Sequence, residues 1–297
     1  MLAIPVLLGV SIGVFLMIAF IPGDPATALA GDTASPDAVA RIRVELGLDQ
    51  PLPVQYLRFL ERLAHGSLGT SIRTHRDVTV EILDRLPYTL ELALVAVLFS
   101  TTLGVSLGVI AAVNRGRAAD LVTMGIAMVG LSVPTFFLAL IGIVVFSLKL
   151  HWLPVTGAAT IASVILPAVS LSLHSAAVKA RITRSSMLEI LGQDYLRTAR
   201  AKGLREEAVI WRHALRNALI PVSTIVGLQF GSLLGGAFII ETIFGWPGVG
   251  LLAVQAIFNR DFPVIQGTVL LVAVAYLVTN LVVDLLYAWL DPRIRYA

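Results

Sequence analysis

Long runs of apolar residues recur along this chain, separated by shorter stretches in which polar and charged residues collect. A membrane-spanning helix needs about 20 consecutive, predominantly apolar residues, and each run approaches or exceeds that length. The pattern predicts an all-α polytopic membrane protein with six transmembrane helices. The predicted spans cover residues 2–21, 88–113, 121–148, 161–179, 218–240 and 264–290.

Proline interrupts two of the predicted spans, Pro134 in the third and Pro167 in the fourth. A membrane helix tolerates proline when neighbouring helices satisfy the carbonyl groups that it frees. We therefore expect both spans to be broken and to lie inside a helix bundle.

Composition agrees with a membrane protein. Of the 297 residues, 57% are hydrophobic and only 14% are charged, whereas soluble domains carry about 25% charged residues. The mean hydropathy is +0.87, which excludes an ordinary soluble fold. The formal net charge is +3, but no basic stripe interleaved with aromatic residues indicates nucleic-acid binding. Cysteine is absent, which excludes disulfides, thiolate metal sites and cysteine nucleophiles.

The distribution of basic residues between loops predicts an orientation. One set of alternate loops holds twelve lysines and arginines in 52 positions, and the other holds eight in 100. Cytoplasmic loops carry the excess of basic residues, so the richer set, which includes the C-terminus, is assigned to the cytoplasm together with the N-terminus. The richer set is 114–120, 180–217 and 291–297, and the opposite set is 22–87, 150–160 and 241–263.

The N-terminal run has an alternative interpretation as a cleaved signal peptide, because Ala28-Leu29-Ala30 resembles a signal-peptidase site. No lysine or arginine precedes the run, however, and Pro22 and Pro25 intervene before that site. We therefore expect the first span to be retained.

The outer segment 22–87 is patterned as a small helical element. A first helix is expected from Ser35-Pro36 through Glu45. A second helix is expected over Pro53–His65, ending at Gly66. A third helix, over Val78–Leu86, leads into the second span. The segment is interpreted equally well as a docking platform for an extracellular partner or as a cap over a pore. Apolar residues predicted to share one side of the middle helix are Tyr56, Leu57, Leu60 and Leu63.

Several chemistries find no support in the sequence. The five histidines show no metal-ligand spacing, and none of the three lysines follows a glycine, so the chain lacks a Walker A loop. His174 and Ser175 are adjacent in a predicted helix and point about 100° apart, so they cannot form a nucleophile–base pair. Energy for any transport must come from a partner or an ion gradient.

Two spans carry small residues at four-residue spacing. Such rows let helix backbones approach closely. They are interpreted as packing surfaces in preference to the lining of a translocation pathway. The rows are Ser100, Gly104, Gly108 and Ala112 in the second span, and Ser223, Gly227, Gly231 and Gly235 in the fifth.

In the sixth span, Tyr276, Asn280 and Asp284 share one face. A proton relay is one hypothesis, but pairing of Asp284 with a loop arginine is favoured, because an ionisable group in lipid needs a partner. Glu91 and Glu241 are expected at the membrane interfaces. So few intramembrane acids argue against an ion-coupled secondary transporter.

The cytoplasmic loop 181–217 is strongly basic yet patterned as helices. Met187–Lys202 is predicted to form one helix that ends at Gly203. A second helix, Arg205–Leu219, has Glu206 and Glu207 in its first turn, where acids suit the helix dipole. The loop is interpreted as a projection that another protein could grip, with an amphipathic helix on anionic lipid as the alternative.

Two parts of this loop, Tyr195–Gly203 (YLRTARAKG) and His213–Pro221 (HALRNALIP), resemble the EAA loop of binding-protein-dependent ABC importer permeases. Arg197 and Thr198 stand where the general motif has its Glu and first Ala. More closely, the chain resembles the first permease subunit of the dipeptide, oligopeptide and nickel class. Further matches are Pro22-Gly23-Asp24-Pro25, Leu46-Gly47-Leu48-Asp49 with Pro51, Gly66–Ser71 (GSLGTS), Phe244–Gly248 (FGWPG), Arg260–Pro263 (RDFP) and Asp291–Tyr296 (DPRIRY).

The resemblance implies a coupling helix around 197–204 that seats in a groove of a cytoplasmic ATPase. Ala199 would lie against that groove, and Gly203 would turn the chain. The residues assigned to ATPase coupling are Arg197, Thr198, Ala199, Arg200, Lys202, Gly203 and Leu204.

The resemblance also implies the assembly. Partners would be a homologous second permease subunit, two ATPase subunits that bind ATP and Mg, and an extracytoplasmic substrate-binding protein, so no cofactor is expected in this chain. Its place would be the bacterial cytoplasmic membrane, with partners in and on the lipid bilayer and no nucleic acid. The implied division is span 1–21, a docking segment 22–87, a permease core 88–290 with the coupling loop 181–217, and a tail 291–297.

The sequence thus predicts a non-catalytic permease subunit of an ATP-driven importer of di- and oligopeptides. An ion-coupled secondary transporter and a membrane anchor for a soluble complex are the alternatives from other classes. Within the same family, a nickel or glutathione importer subunit is the alternative.

Overall fold

Helices dominate the computed structural model, which describes residues 3–20, 25–30, 34–45 and 47–290. Within those ranges no β-strand forms, and one isolated antiparallel bridge joins Thr70 and Asp77. The α-helices of the described residues are α1 (Ala3–Phe20), α2 (Pro25–Ala30), α3 (Pro36–Glu45), α4 (Leu52–Ala64), α5 (Val78–Val113), α6 (Ala118–Ser132), α7 (Thr135–Gly142), α8 (Ile165–Leu191), α9 (Asp194–Ala201), α10 (Glu206–Ala208), α11 (Leu215–Gly236), α12 (Phe238–Ile243), α13 (Val249–Phe258) and α14 (Phe262–Leu290).

Three short stretches extend these helices with other hydrogen-bond patterns. A π-helical stretch, Ile143–Lys149, continues α7, and a 3-10 turn, Ile161–Val164, precedes α8. A second π-helical stretch, Val209–Ala214, joins α10 to α11. The chain therefore runs as a nearly continuous helix from Glu206 to Gly236.

The helices predicted between residues 35 and 86 are confirmed. Each follows a local signal: α3 begins at Pro36, α4 follows Pro51, and α5 begins at Val78. Gly47 and Gly66 adopt positive φ values of 68° and 73° just beyond α3 and α4. Such values suit glycine, which lacks a Cβ.

The structure divides into two compact units, of which the first comprises Met1–Thr89 and Pro247–Leu277. In it, α4 packs against α1 through Phe59 and Val14, and the rings of Phe15 and Tyr56 lie 5.3 Å apart between centroids. The prediction that Leu57 shares one side of α4 with Tyr56, Leu60 and Leu63 is wrong, because Leu57 is 64% exposed and the other three are partly buried. The inward side is instead formed by Phe59 with partly buried Tyr56, Leu60 and Leu63.

The second unit comprises Leu90–Trp246 and Val278–Ala297. Its central element is α8, which packs against α6, α7 and α11. Phe244 and Trp246 are almost fully buried, beside leucine, alanine and valine side chains of α5 and α8. The core of this unit is thus built around one helix.

The count of six membrane spans is not confirmed. Among the described residues, Val78–Val113, Ile161–Leu191 and Phe262–Val282 are long and apolar enough to span a membrane. The third predicted span is a pair of helical segments, Ala118–Ser132 and Thr135–Lys149, bent by 102° at Pro134. Counting that pair as one span gives four.

The two prolines behave differently. Pro134 separates α6 from α7, as predicted. Pro167 was expected to break its helix, and this prediction is wrong, because Pro167 is the third residue of an uninterrupted α8. Proline is tolerated in the first turn, where its missing N–H group would have no helical partner.

Candidate functional site

The basic loop forms a helical hairpin, defined here as residues 194–208. Its first arm is α9, and α10 begins the second arm after a turn at Gly203. The prediction of one helix over Met187–Lys202 is wrong: α8 ends at Leu191, and Gln193 has an extended backbone with ψ of 148°. This break redirects α9 while keeping its apolar side against the protein.

One buried side chain anchors the first arm. Leu196 has no exposed surface, and Ala199 is half-buried beside it. Together with residues of α5, α8 and α11 they form what we call the hairpin cluster. Its buried members, two of which come from the π-helical stretch Val209–Ala214, are Val109, Ala112, Met187, Leu196, Val209, Ala214, Leu215 and Ala218.

The remaining predicted coupling residues point outward. Ala199, which the resemblance placed against an ATPase groove, packs against the hairpin cluster of its own chain. The hairpin therefore has an apolar inner side and an outer side that carries charges of both signs. Its exposed members from the predicted set are Arg197, Thr198, Arg200, Lys202, Gly203 and Leu204.

Gly203 ends the first arm with a φ of 78°. A Cβ added at this position would meet no heavy atom within 4 Å. The requirement for glycine is thus conformational and not steric, because L-residues other than Asn and Asp rarely adopt this region.

An ion pair closes the hairpin turn. Arg200 donates from Nη2 to Glu206 Oε1 over 2.8 Å and from Nε to Oε2 over 3.0 Å. These hydrogen bonds lower the pKa of the Glu206 carboxyl and raise the pKa of Arg200. The Arg200 and Glu206 side chains are 37% and 57% exposed, so the pair fixes geometry more than it adds stability.

A side-chain hydrogen bond also connects α9 to α11. Asn217 donates from Nδ2 to the Tyr195 hydroxyl over 2.8 Å. Both residues stand in the segments that carry the family resemblance, but sequence reasoning gave neither a role. The contact joins residues 22 positions apart, which no local pattern indicates.

Two of the small residues of α5, Gly104 and Gly108, lie close to α8. A Cβ on Gly104 would lie 2.6 Å from the Ala176 carbonyl oxygen, and one on Gly108 would lie 2.5 Å from Thr183 Cβ. Real Cβ atoms do not approach so closely. Glycine at these two positions therefore sets the separation between the two helices.

The row on α11 is less uniform. Ser223 is exposed and donates to the Ile220 carbonyl over 2.7 Å, Gly227 is half-buried, and Gly231 is buried. The surroundings of Gly235 lie outside the described part of the structure.

A buried lysine lies beside the first row. Lys179 has no exposed surface, and its Nζ donates to Ser100 Oγ and Thr101 Oγ1, each over 2.8 Å. Gln229 Nε2 approaches the same Ser100 oxygen at 3.4 Å, and the buried Gln229 Oε1 lacks a hydrogen-bond partner. Sequence reasoning missed this cluster, because the hydroxyl groups come from a helix 78 and 79 residues earlier.

Another polar contact joins α6 to α8, close to the loops that the sequence assigned to the cytoplasm. Arg184 donates two hydrogen bonds to the Asp120 carboxylate, over 2.7 and 2.8 Å. The Asp120 side chain is 5% exposed. With Lys179 and its hydroxyl partners, this pair gives α8 a polar contact with each of two neighbouring helices.

The acidic residues singled out in the sequence lie in unlike environments. Glu91 is exposed, whereas Glu241, which was also expected at a membrane interface, is fully buried within the protein. Tyr276 is 49% exposed, and Asn280 has a buried carbonyl oxygen without a partner. The side chain of Asp284 lies outside the described residues. In the described part of the chain, no group of three His, Asp or Glu residues could hold a metal ion.

The long apolar helices and the basic hairpin define a multi-pass membrane protein with a projecting loop. Comparison with known protein families identifies the family to which the chain belongs. Residues 104–296 match the binding-protein-dependent transport system inner membrane component family, and residues 1–93 match the N-terminal part of such membrane components. The chain belongs to this family, and its resemblance to ABC importer permeases of the dipeptide and oligopeptide class is confirmed.

Named relatives match over nearly the whole chain. A glutathione transport system permease protein of Salmonella paratyphi A is 46% identical and covers 99% of this chain and 96% of its own length. A dipeptide transport system permease protein of Alkalihalophilus pseudofirmus is 44% identical, with coverages of 100% and 97%. A putative peptide transport system permease protein of Brucella abortus is 47% identical, with coverages of 99% and 96%.

Solved structures share the fold at low identity. An inward-facing form of a methionine ABC transporter aligns with a TM-score of 0.58 and 20% identity, covering 71% of this chain and 96% of the other. An amino acid ABC transporter aligns with a TM-score of 0.53 and 19% identity, covering 73% and 95%. The permease fold of ABC importers is thereby confirmed.

Proposed function

We propose that this chain is a permease subunit of an ATP-driven importer of short peptides. The observation that carries the proposal is the hairpin, whose inner side is packed into the helical core while its outer side presents an exposed charged surface. A helix held this firmly can transmit movement, and an exposed surface of it can contact a partner. The names of the relatives support di- and oligopeptides as substrates, with glutathione as a narrower alternative.

Coupling to a cytoplasmic ATPase would use the outer side of the hairpin. Arg197, Arg200 and Lys202 offer charge there, and Leu204 offers an apolar contact at 42% exposure. Ala199 supports that surface from within. ATP would bind the partner ATPase subunits, since this sequence has no phosphate-binding loop, and the permease itself would be non-catalytic.

The remaining assembly follows from the same proposal. A homologous second permease subunit would complete the pathway, and two ATPases would bind the paired hairpins. The basic loops would face the cytoplasm together with both termini. The segment 22–87 would lie outside the membrane, where it would receive a substrate-binding protein.

Reconstitution tests this function directly. The complex is copurified from its native membrane, its subunits are identified, and uptake of labelled dialanine into liposomes is measured with and without ATP. We expect uptake that requires the ATPase subunits and nucleotide. Uptake by this chain without either would favour an ion-coupled transporter, and a complex without any uptake would favour a membrane anchor.

A further inference from the structure

A cavity of about 410 Å³ lies within the unit formed by Met1–Thr89 and Pro247–Leu277. Its walls come from the loop 71–76, the first turns of α5 and the α13–α14 corner. Its floor is apolar and buried, formed by Leu252, Ala256 and Val264. Binding sites for small molecules have volumes of about 300–1,000 Å³ and combine an apolar surface with a few polar groups. The cavity has the size and lining of such a site.

The acidic groups around the cavity already have partners. The buried Asp261 carboxylate accepts hydrogen bonds from the Ser71 hydroxyl at 2.5 Å and from the backbone N–H groups of Ile72 and Arg73 at 3.2 and 3.3 Å. These bonds hold the wall in place. Of the other two carboxylates, Asp84 forms an ion pair with Arg76 over 2.8 Å, and Glu81 accepts a hydrogen bond from the neutral Thr74 hydroxyl.

Two of the arginines around the cavity have no carboxylate partner among the described residues. Arg85 is half-buried in the cavity wall and makes no hydrogen bond or ion pair with the described residues. Arg73 donates only to the neutral side-chain oxygen of Asn259. Two guanidinium groups therefore face the cavity without a carboxylate partner. A guanidinium group binds a carboxylate through two parallel hydrogen bonds, so this is the ligand group that would complete the site.

Other groups at the cavity fit the rest of a peptide. Gln255 and Asn259 are exposed amides at its edge and can pair with peptide N–H and C=O groups. The apolar floor can accept a small side chain. Three elements of a short peptide, its carboxylate, its amide and its side chain, thus find a complementary group.

We propose that this cavity binds the C-terminal carboxylate of a short peptide, with Arg85 as the principal contact and Arg73 as the second. The inference rests on the proposed peptide transport. Nearly the whole wall comes from segments 22–87 and 241–263, both predicted to lie outside the membrane. The cavity would then hold a peptide on the outer side of the permease, separately from the binding protein.

Equilibrium dialysis of the purified permease–ATPase complex in lipid nanodiscs, without binding protein, tests the inference. The probes are labelled dialanine and dialanine amide, which lacks the carboxylate. The wild-type complex is expected to bind dialanine about tenfold more tightly than the amide, the difference one charge-assisted contact supports. Arg85→Gln should weaken dialanine binding by about tenfold and remove the preference.

Two further variants distinguish recognition of the carboxylate from the effect of positive charge alone and from a general effect on folding. Arg85→Lys keeps the charge but loses the paired geometry, and it should retain part of the preference. Arg62→Gln removes an exposed arginine of α4 outside the cavity, and it should bind both probes like the wild type. Equal binding of the two probes by the wild-type complex, or an unchanged preference in Arg85→Gln, overturns the inference.

Failure of the inference is distinguishable from failure of the proposed function. Absence of dialanine uptake by the complete wild-type system would overturn both. Normal uptake without carboxylate-dependent binding would overturn only the peptide site. If Arg85→Gln instead loses the stimulation of ATP hydrolysis by the binding protein, with dialanine binding unchanged, the cavity receives an acidic side chain of that protein.

Discussion

Arg200 and Glu206 face each other across the Gly203 turn, joined by two hydrogen bonds of 2.8 and 3.0 Å. The pair connects the last turn of α9 to the first residue of α10. It therefore fixes the angle between the two arms on the exposed side, while Leu196 fixes it on the buried side.

Removing this pair should have a small effect on stability that depends on pH. Because the bonds to Arg200 lower the pKa of Glu206, the pair contributes at neutral pH and is lost as the pH falls through that lowered pKa. Glu206→Gln should lie within about 1 kcal/mol of the wild type at pH 7, as exposed pairs do. Thermal unfolding in detergent, followed from neutral pH downward, should show the difference between the two proteins disappear once the pH is below the lowered pKa of Glu206.

Glu207→Gln is the matched control for this experiment, since Glu207 is the adjacent exposed acid and forms no ion pair among the described residues. It should show no comparable pH-dependent difference. An equal difference for both variants would mean that net charge, and not the bond to Arg200, is responsible.

Gly203→Glu should abolish ATP-driven uptake while leaving membrane insertion intact. The substitution places an L-residue at a φ of 78°, which costs about 1–2 kcal/mol, and it adds a negative charge beside the exposed Lys202. Gly203→Asn is the control, because asparagine tolerates this backbone conformation. Uptake is measured in proteoliposomes, and insertion by immunoblotting of membranes. Normal uptake by the glutamate variant would contradict a coupling role for the hairpin.

Gly108→Val should destabilise the protein by about 1–3 kcal/mol, the usual cost of forcing extra atoms into a packed interface. The new Cβ would lie 2.5 Å from Thr183 Cβ and 2.7 Å from the Ala180 carbonyl oxygen. Gly125→Val on α6 is the control, because no heavy atom lies within 4 Å of a Cβ there. The midpoint of thermal unfolding should fall for the first variant and stay near the wild-type value for the second.

The features that were predictable from the sequence have local causes. Pro36, Pro134 and Gly203 act on the backbone of their own and adjoining residues, so a helix start, a break and a turn follow from residue type. The α9 boundary was not predictable, because apolar residues continue at helical spacing from Met187 to Leu196 and a single glycine does not oblige a helix to end.

The candidate sites were less predictable, because their partners are distant in the sequence. Nothing near Lys179 indicates that Ser100 and Thr101 will accept its hydrogen bonds, and nothing near Arg85 indicates a cavity. Glu241 was expected at an interface for the same reason: its position in the sequence marks the end of an apolar run, whereas its burial depends on tertiary packing.

Lys179 provides a test of how a buried charge is accommodated. Lys179→Met removes the ammonium group, and Ser100 keeps its hydrogen bond to the Val97 carbonyl, so we expect little loss of stability. The double variant Ser100→Ala/Thr101→Val leaves the ammonium group buried without acceptors and should cost at least about 2 kcal/mol.

A variant that carries all three substitutions completes a thermodynamic mutant cycle between Lys179 and the two hydroxyl groups. If the hydroxyl groups act through Lys179, the methionine substitution should restore most of the stability lost in the double variant. Additive losses, measured by thermal unfolding, would show that Ser100 and Thr101 matter for packing alone.

Helix α8 extends without interruption over 27 residues, about 40 Å at 1.5 Å per residue. Lys179 contacts α5, Arg184 contacts α6, and Met187 lies in the hairpin cluster, all on this one rod. A displacement of the hairpin that moves α8 as a rigid body would therefore change all of these contacts at the same time. If the hairpin couples to an ATPase as proposed, we expect it to move together with α8 and the helices that α8 contacts, in a single concerted step.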